Sequence, residues 1–173
     1  MYEEIDVYDY MNLILKQLKR GITITPTVEG KVNPMTIAWG HIGIEWNTLS
    51  FITYVRGSRH TYDMLDQCQN FTVNIPLGDE GRDIIKFCGT QSGRDYNKAE
   101  HLNLETVNAR KIEGTAFREL PLTLECKVVY KQFQDKTQIE DRFKDRFYPE
   151  GQSDHDNYHY MFYGEIVDAY ILK

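Results

Sequence analysis

Little in this chain of 173 residues points toward a membrane or a polyanion. No uninterrupted apolar stretch approaches the roughly twenty residues that cross a bilayer as a helix. The N-terminus, Met1-Tyr2-Glu3-Glu4-Ile5-Asp6, is acidic where a secretory leader would be basic. Positive charge is in deficit: 20 Lys and Arg stand against 26 Asp and Glu, a formal net charge of −6. The basic residues gather on no readable element, which argues against nucleic acid as a partner. Cysteine is scarce. Cys68, Cys88 and Cys126 are odd in number and far apart, so neither a disulfide framework nor a zinc set is indicated. These absences predict a cytoplasmic protein with reduced thiols.

Chemistry-bearing patterns are sparse as well. No Ser/His/Asp grouping can be defended as a nucleophile, no glycine fingerprint of Rossmann type is present, and no catalytic side chain is assigned. His155 and His159 are four apart, flanked by Asp154 and Asp156. That spacing brings two rings together only on a helix. The surrounding sequence is turn-like and then extended, which would hold the rings about 13 Å apart, so no metal site is expected. Cys88 follows the apolar residues Ile84, Ile85 and Phe87 and reads as a buried, inert thiol, with a redox role as the alternative.

What the chain has is aromatic residues, twelve Tyr and eight Phe among them. At that density they suit a β-rich fold with aromatic surface left over for a planar ligand or a second subunit. The length fits one domain over 1–173. Helical spacing of Met11, Leu13, Ile14, Leu15 and Leu18 predicts a helix over 8–18, stopped at Gly21. Strand signals follow over 22–28, 32–46 and 49–55, with turns at 29–30 and 47–48. A short helix over 58–67, N-capped by Ser58, leads to a strand over 71–75. A helix over 79–87 is expected to end in a polar loop over 88–95, with another helical turn reaching His101. Strands resume over 104–109 and 122–133. The charged run 135–146 reads as a solvated helix or arm, and 158–172 as a strand region bent at Gly164. Short strands broken by turns, with a few small helices, predict a closed or partly closed antiparallel barrel.

Three segments carry the functional signal. In Tyr54-Val55-Arg56-Gly57-Ser58-Arg59-His60-Thr61-Tyr62 a strand gives way to a helix. Unpartnered backbone amides, two hydroxyls and two guanidinium forks there compose a phosphate monoester site. The plain alternative is a capped surface helix with solvated arginines. The loop Gly89-Thr90-Gln91-Ser92-Gly93-Arg94-Asp95 repeats the same ingredients. Two such sites suggest the two ends of one extended ligand. In Asn33-Pro34-Met35-Thr36-Ile37-Ala38-Trp39-Gly40 the proline marks an edge or bulge, and a kinked strand offers both an apolar slot and backbone polar groups for a flat ring.

These segments, with Phe71-Thr72-Val73-Asn74-Ile75-Pro76 and Cys88-Gly89-Thr90 as further matches, occur in the order found in the flavin reductase-like proteins of the FMN-binding split-barrel group. The chain resembles that group over about 33–95, and its flavoredoxin branch most closely. The resemblance implies a mainly β fold, a six-stranded antiparallel Greek-key split barrel, assembled as a homodimer. It implies FMN, with its phosphate held by Arg56, Ser58, Arg59 and Thr61. Asn33, Met35, Thr36, Trp39 and Gly40 would line the isoalloxazine, with Asn74 nearby, and Ser92, Gly93 and Arg94 would close the site. The implied activity is that of an FMN oxidoreductase or electron-transfer protein, fed by NAD(P)H or a redox protein. Two alternatives stand beside it. One is an NAD(P)H:flavin reductase that treats FMN as a dissociable substrate. The other is a non-catalytic protein that binds a flavin or another phosphate-bearing ligand such as pyridoxal phosphate.

Overall fold

The computed structural model describes residues 1–149 and 158–173. Helix α1 (Val7–Arg20) starts where the Asp6 carboxylate accepts the Tyr8 amide at 2.9 Å, and it buries Ile14 and Leu18. It ends at Gly21, whose φ of 102° disfavours any side chain and whose missing Cβ would stand 2.6 Å from Ile85.

The chain then enters a large antiparallel sheet. Its strands are β1 (Tyr2–Glu4), β2 (Ile22–Thr25), β5 (Met35–Ile37), β6 (Gly40–Glu45), β7 (Thr48–Arg56), β8 (Asn70–Ile75), β11 (Leu122–Phe133) and β12 (His159–Leu172). Their order is β5-β2-β8-β11-β12-β7-β6, with β1 added alongside β12. Two small hairpins, β3 (Thr27–Val28) with β4 (Lys31–Val32) and β9 (Thr106–Asn108) with β10 (Thr115–Phe117), stand apart from it. Eight strands rather than six make the sheet, because the three-residue pieces β1 and β5 also join the ladder.

Topology dictates curvature. The two end strands of the path, β5 and β6, follow one another in the chain with only Ala38 and Trp39 between them. In a flat sheet six inter-strand steps would separate them by about 29 Å, whereas the link reaches about 10 Å. The sheet must therefore curl back on itself, and the break at 38–39 is the corner where the barrel is split.

Alternation sorts the side chains. Along β8, Phe71, Val73 and Ile75 join the main core with Ile22, Ile24 and Phe51. Thr72 and Asn74 face the other way, into a buried polar layer beneath β10. There Asn74 Oδ1 accepts from Thr25 Oγ1 (2.8 Å) and Thr72 Oγ1 (3.1 Å). The bend expected at Gly164 appears in the ladder as a register shift, with the extra residue, Val129, on the partner strand β11.

Several boundaries differ from the sequence reading. Helix α2 (His60–Cys68) is capped by Arg59 and not by Ser58, because the Arg59 amide bonds Arg56 O at 3.0 Å and folds Ser58 into a turn. Helix α3 (Arg82–Thr90) takes in Cys88, Gly89 and Thr90, so the polar loop begins at Gln91. A short helix α4 (Lys98–His101) follows. The charged run folds as a 3-10 turn (Lys136–Gln138) and helix α5 (Asp141–Phe147).

Candidate functional site

A cavity of about 310 Å³ lies at the split of the barrel, within the size range of small-molecule sites. Four parts of the chain build it, and Lys98 of α4 adds to them. The corner strip Met35 to Trp39 forms one wall, and the end of β7 with the first turn of α2 another. The C-terminal end of α3 with the 91–94 loop, and the start of β12, complete it.

Ten of the residues singled out from the sequence meet here. Met35, Thr36 and Trp39 come from the corner, Arg56, Ser58, Arg59 and Thr61 from the strand–helix junction, and Ser92, Gly93 and Arg94 from the loop. Three do not line the cavity. Asn33 is only 4% exposed and sits behind the wall, with Nδ2 donating to Thr61 Oγ1 at 2.9 Å. Gly40 opens β6 and pairs with Thr53 in the barrel wall. Asn74 is turned by strand alternation into the polar layer described above. His155 lies outside the described residues.

The electrostatics of the wall are one-sided. Among the described residues Arg56, Arg59, Arg94 and Lys98 contribute to it, and no Asp or Glu does. Arg94 is spoken for: its guanidinium bonds Ser58 O at 3.0 Å and Asp63 at 2.9 Å, stapling the 91–94 loop to the start of α2. Arg56 donates to Phe147 O at 3.3 Å and lies over the Tyr148 ring. Arg59 forms no ion pair among the described residues. It sits at the N-terminus of α2, where the helix leaves its first amides without intrahelical partners and carries partial positive charge. Such a site favours an anion with several oxygens.

Sequence reasoning missed Lys98 and left His159 without an assigned place. Lys98 is 2% exposed, and its ammonium donates to Pro34 O (2.9 Å) and Cys88 O (3.1 Å), pinning the approach to β5 against the end of α3. Burial holds its pKa below the usual lysine range. His159 lies among aromatic groups, 5.0 Å from the Trp39 ring, with Nδ1 2.7 Å from the Tyr148 hydroxyl. Burial, followed by the charges of Arg56 and Arg59, lowers its pKa to about 4, so the ring is neutral near pH 7. Burial raises the Cys88 thiol to about 11, which keeps it protonated. Among the described residues no group of three or more His, Cys, Asp or Glu could hold a metal ion, and no helix is long and apolar enough to cross a membrane.

The cavity thus joins an anion cradle to a strip of larger, less polar side chains at the barrel corner. Its residues fit an elongated ligand with a phosphate at one end and a flat body at the other.

The family model described as "Flavin reductase like domain" matches residues 15–173. An uncharacterised protein of Archaeoglobus fulgidus is 31% identical over 99 residues, which are 57% of this chain and 55% of that relative, so the chain spans only about half of the relative's length. Among solved structures, flavoredoxin from Methanosarcina acetivorans superposes with a TM-score of 0.68 at 22% identity, covering 88% of this chain and 68% of that one. Flavoredoxin of Desulfovibrio vulgaris (Miyazaki F) gives 0.67 at 21% identity, covering 88% and 69%. At these identities the structural likeness is one of fold.

Proposed function

Since the chain belongs to the flavin reductase-like family, we propose that it holds FMN in the cavity at the barrel split and works as an FMN-dependent oxidoreductase or electron carrier of flavoredoxin type. The observation that carries this reading is Arg59, which stands in the cavity wall at the N-terminus of α2 and, among the described residues, makes no ion pair and meets no lining Asp or Glu. Such a position attracts an anion with several oxygens.

The roles follow from position. Arg56 and Arg59 present forks to the phosphate, the first turn of α2 adds backbone donors, and Thr61 adds a hydroxyl. The Arg94 staple holds the loop over that end. Met35, Ile37, Ala38 and Trp39 supply the surface against which the ring lies, and Lys98 fixes the backbone on which that surface is mounted. His159 stays neutral and adds no further charge beside the arginines. FMN, when bound, supplies the electron-transfer chemistry, taking electrons from NAD(P)H or a redox protein and passing them to an acceptor. The protonated Cys88 takes no part. The assembly proposed is a homodimer, supported by the exposed aromatic pair Trp46 and Tyr130, whose ring centroids are 6.3 Å apart.

The test is the visible spectrum of the purified protein, recorded anaerobically before and after adding NADH or NADPH. A bound-flavin spectrum that bleaches supports the oxidoreductase reading and identifies the donor. Bound flavin that stays oxidised overturns direct reduction by NAD(P)H and leaves a carrier reduced by a protein partner or a non-catalytic flavin-binding protein. A colourless protein that also fails to bind added FMN overturns the proposal. The same preparation should sediment at twice the 20.4 kDa mass of the chain.

A further inference from the structure

Asn33 was expected to touch the ligand ring, yet it is buried one layer behind the cavity, where its amide meets a single side chain. Nδ2 donates to Thr61 Oγ1 at 2.9 Å. Oδ1 is buried with no hydrogen-bond partner. It faces Gly93 so closely that a Cβ there would stand 2.1 Å away. A carbonyl oxygen against a glycine Cα–H is a weakly favourable contact. The opposite orientation of the amide would press two N–H donors against that carbon and leave both unmet. The local chemistry therefore fixes Nδ2 toward Thr61.

That orientation decides where the Thr61 proton goes. A hydroxyl has one proton and two lone pairs. Oγ1 accepts from Asn33, so its own O–H must point elsewhere, and among the described residues nothing in the protein accepts it. Thr61 is 2% exposed and lines the cavity between Arg56, Arg59 and the 91–94 loop. We propose that Asn33 is a positioning residue which turns the Thr61 hydroxyl proton into the cavity, making it a fixed donor to a phosphate oxygen of the ligand. Gly93 belongs to the device, because only a residue without a side chain lets the loop close over Asn33. This inference rests on the phosphate end of the FMN reading.

The test compares two flavins that differ only at that end. Dissociation constants for FMN and riboflavin are measured by fluorescence titration on the full chain, for Asn33→Ala, Thr61→Val and the double variant. Each single variant should lose about tenfold in FMN affinity, as expected for one hydrogen bond to a charged group. Riboflavin affinity should change less than about twofold, and the double variant should lose little more than either single one. Thr61→Ser, which keeps the hydroxyl, should restore FMN binding, and the Thr61 pair carries the test even if Asn33→Ala fails to fold. Equal losses for both flavins, or unchanged FMN affinity in Thr61→Val, would overturn the positioning role. Arg59→Ala is the control for the underlying reading. If it weakens FMN while the Thr61 variants do not, only the positioning proposal fails; if it too leaves FMN affinity unchanged, the phosphate site itself is misplaced.

Discussion

Two arginines in this molecule illustrate opposite uses of the same side chain. Arg110 is enclosed by its own counter-charges. Its guanidinium reaches Glu4 at 2.6 Å and Asp168 at 3.3 Å and lies over the rings of Tyr2 and Tyr170. The hydrogen bond to Glu4 raises its pKa above the usual arginine value. Beneath it the buried Glu125 accepts the backbone amides of Arg110 and Lys111 at 2.6 and 2.7 Å. Every charge there is answered from within, and the result ties β1, β11 and β12 together. Arg59 has a helix N-terminus, a second arginine and a buried lysine near it, and no carboxylate among the described residues of the cavity wall. An arginine built into structure comes with its acids; one built for a ligand leaves that place open.

Three perturbations probe this contrast. The largest effect should come from giving Arg59's site the acid it lacks. Arg59→Glu places a carboxylate against the expected phosphate and should cost about a thousandfold in FMN affinity, read by flavin titration, with thermal stability little changed. The next removes an acid from the closed site. Glu125→Ala removes the acceptor of the Arg110 and Lys111 amides and should destabilise the fold by about 3 kcal/mol in urea denaturation, while FMN affinity of the folded protein stays the same. A loss of flavin binding there, or a loss of stability in the first variant, would break the division between structural and ligand-facing arginines.

The third and smallest effect is one of pH. His159 titrates near 6.5 when unfolded and near 4 in the cavity. Between these values the unfolded chain binds a proton that the folded chain refuses, so stability falls as the pH drops through this window. The loss should reach about 2 kcal/mol by pH 5. It should be absent in His159→Phe when both are measured by denaturation at pH 7 and pH 5. Burial holds the proton off most, so saturating FMN should reduce only the smaller part that comes from the charges of Arg56 and Arg59.

Local pattern carried much of this into the sequence. Leu122, Leu124 and Cys126 alternate along a strand whose bounds, 122–133, are as expected. The arginine-rich junction at 56–61 was readable because its ingredients are consecutive. Other features depend on distant partners and left no local trace. Lys98, in Tyr96-Asn97-Lys98-Ala99-Glu100, reads as a solvated residue, and its burial depends on the carbonyls of Pro34 and Cys88. Asn74 was placed beside the ligand by motif alone. The strand-paired register Asn74↔Thr23 and Asn74↔Thr123 puts it on the other face of β8 instead. His159 was read through its spacing to His155, whereas its described neighbours, Trp39 and Tyr148, arrive from a barrel corner and a helix end. β10 was missed because three residues after a glycine carry too little periodicity to register.

The position of β12 has a consequence for the order of events during synthesis. This strand, 159–172, is the last of the sheet to leave the ribosome, yet it lies in the middle, between β11 and β7. Until it emerges, the β6–β7 hairpin has no neighbour to join and the corner at 38–39 has nothing to close. More than a hundred residues separate β7 from the strand it pairs with, a loop-closure penalty that slows folding and keeps the nascent barrel open. Closure of the barrel is therefore expected to wait for this strand, which slides in between β11 and β7 as the keystone.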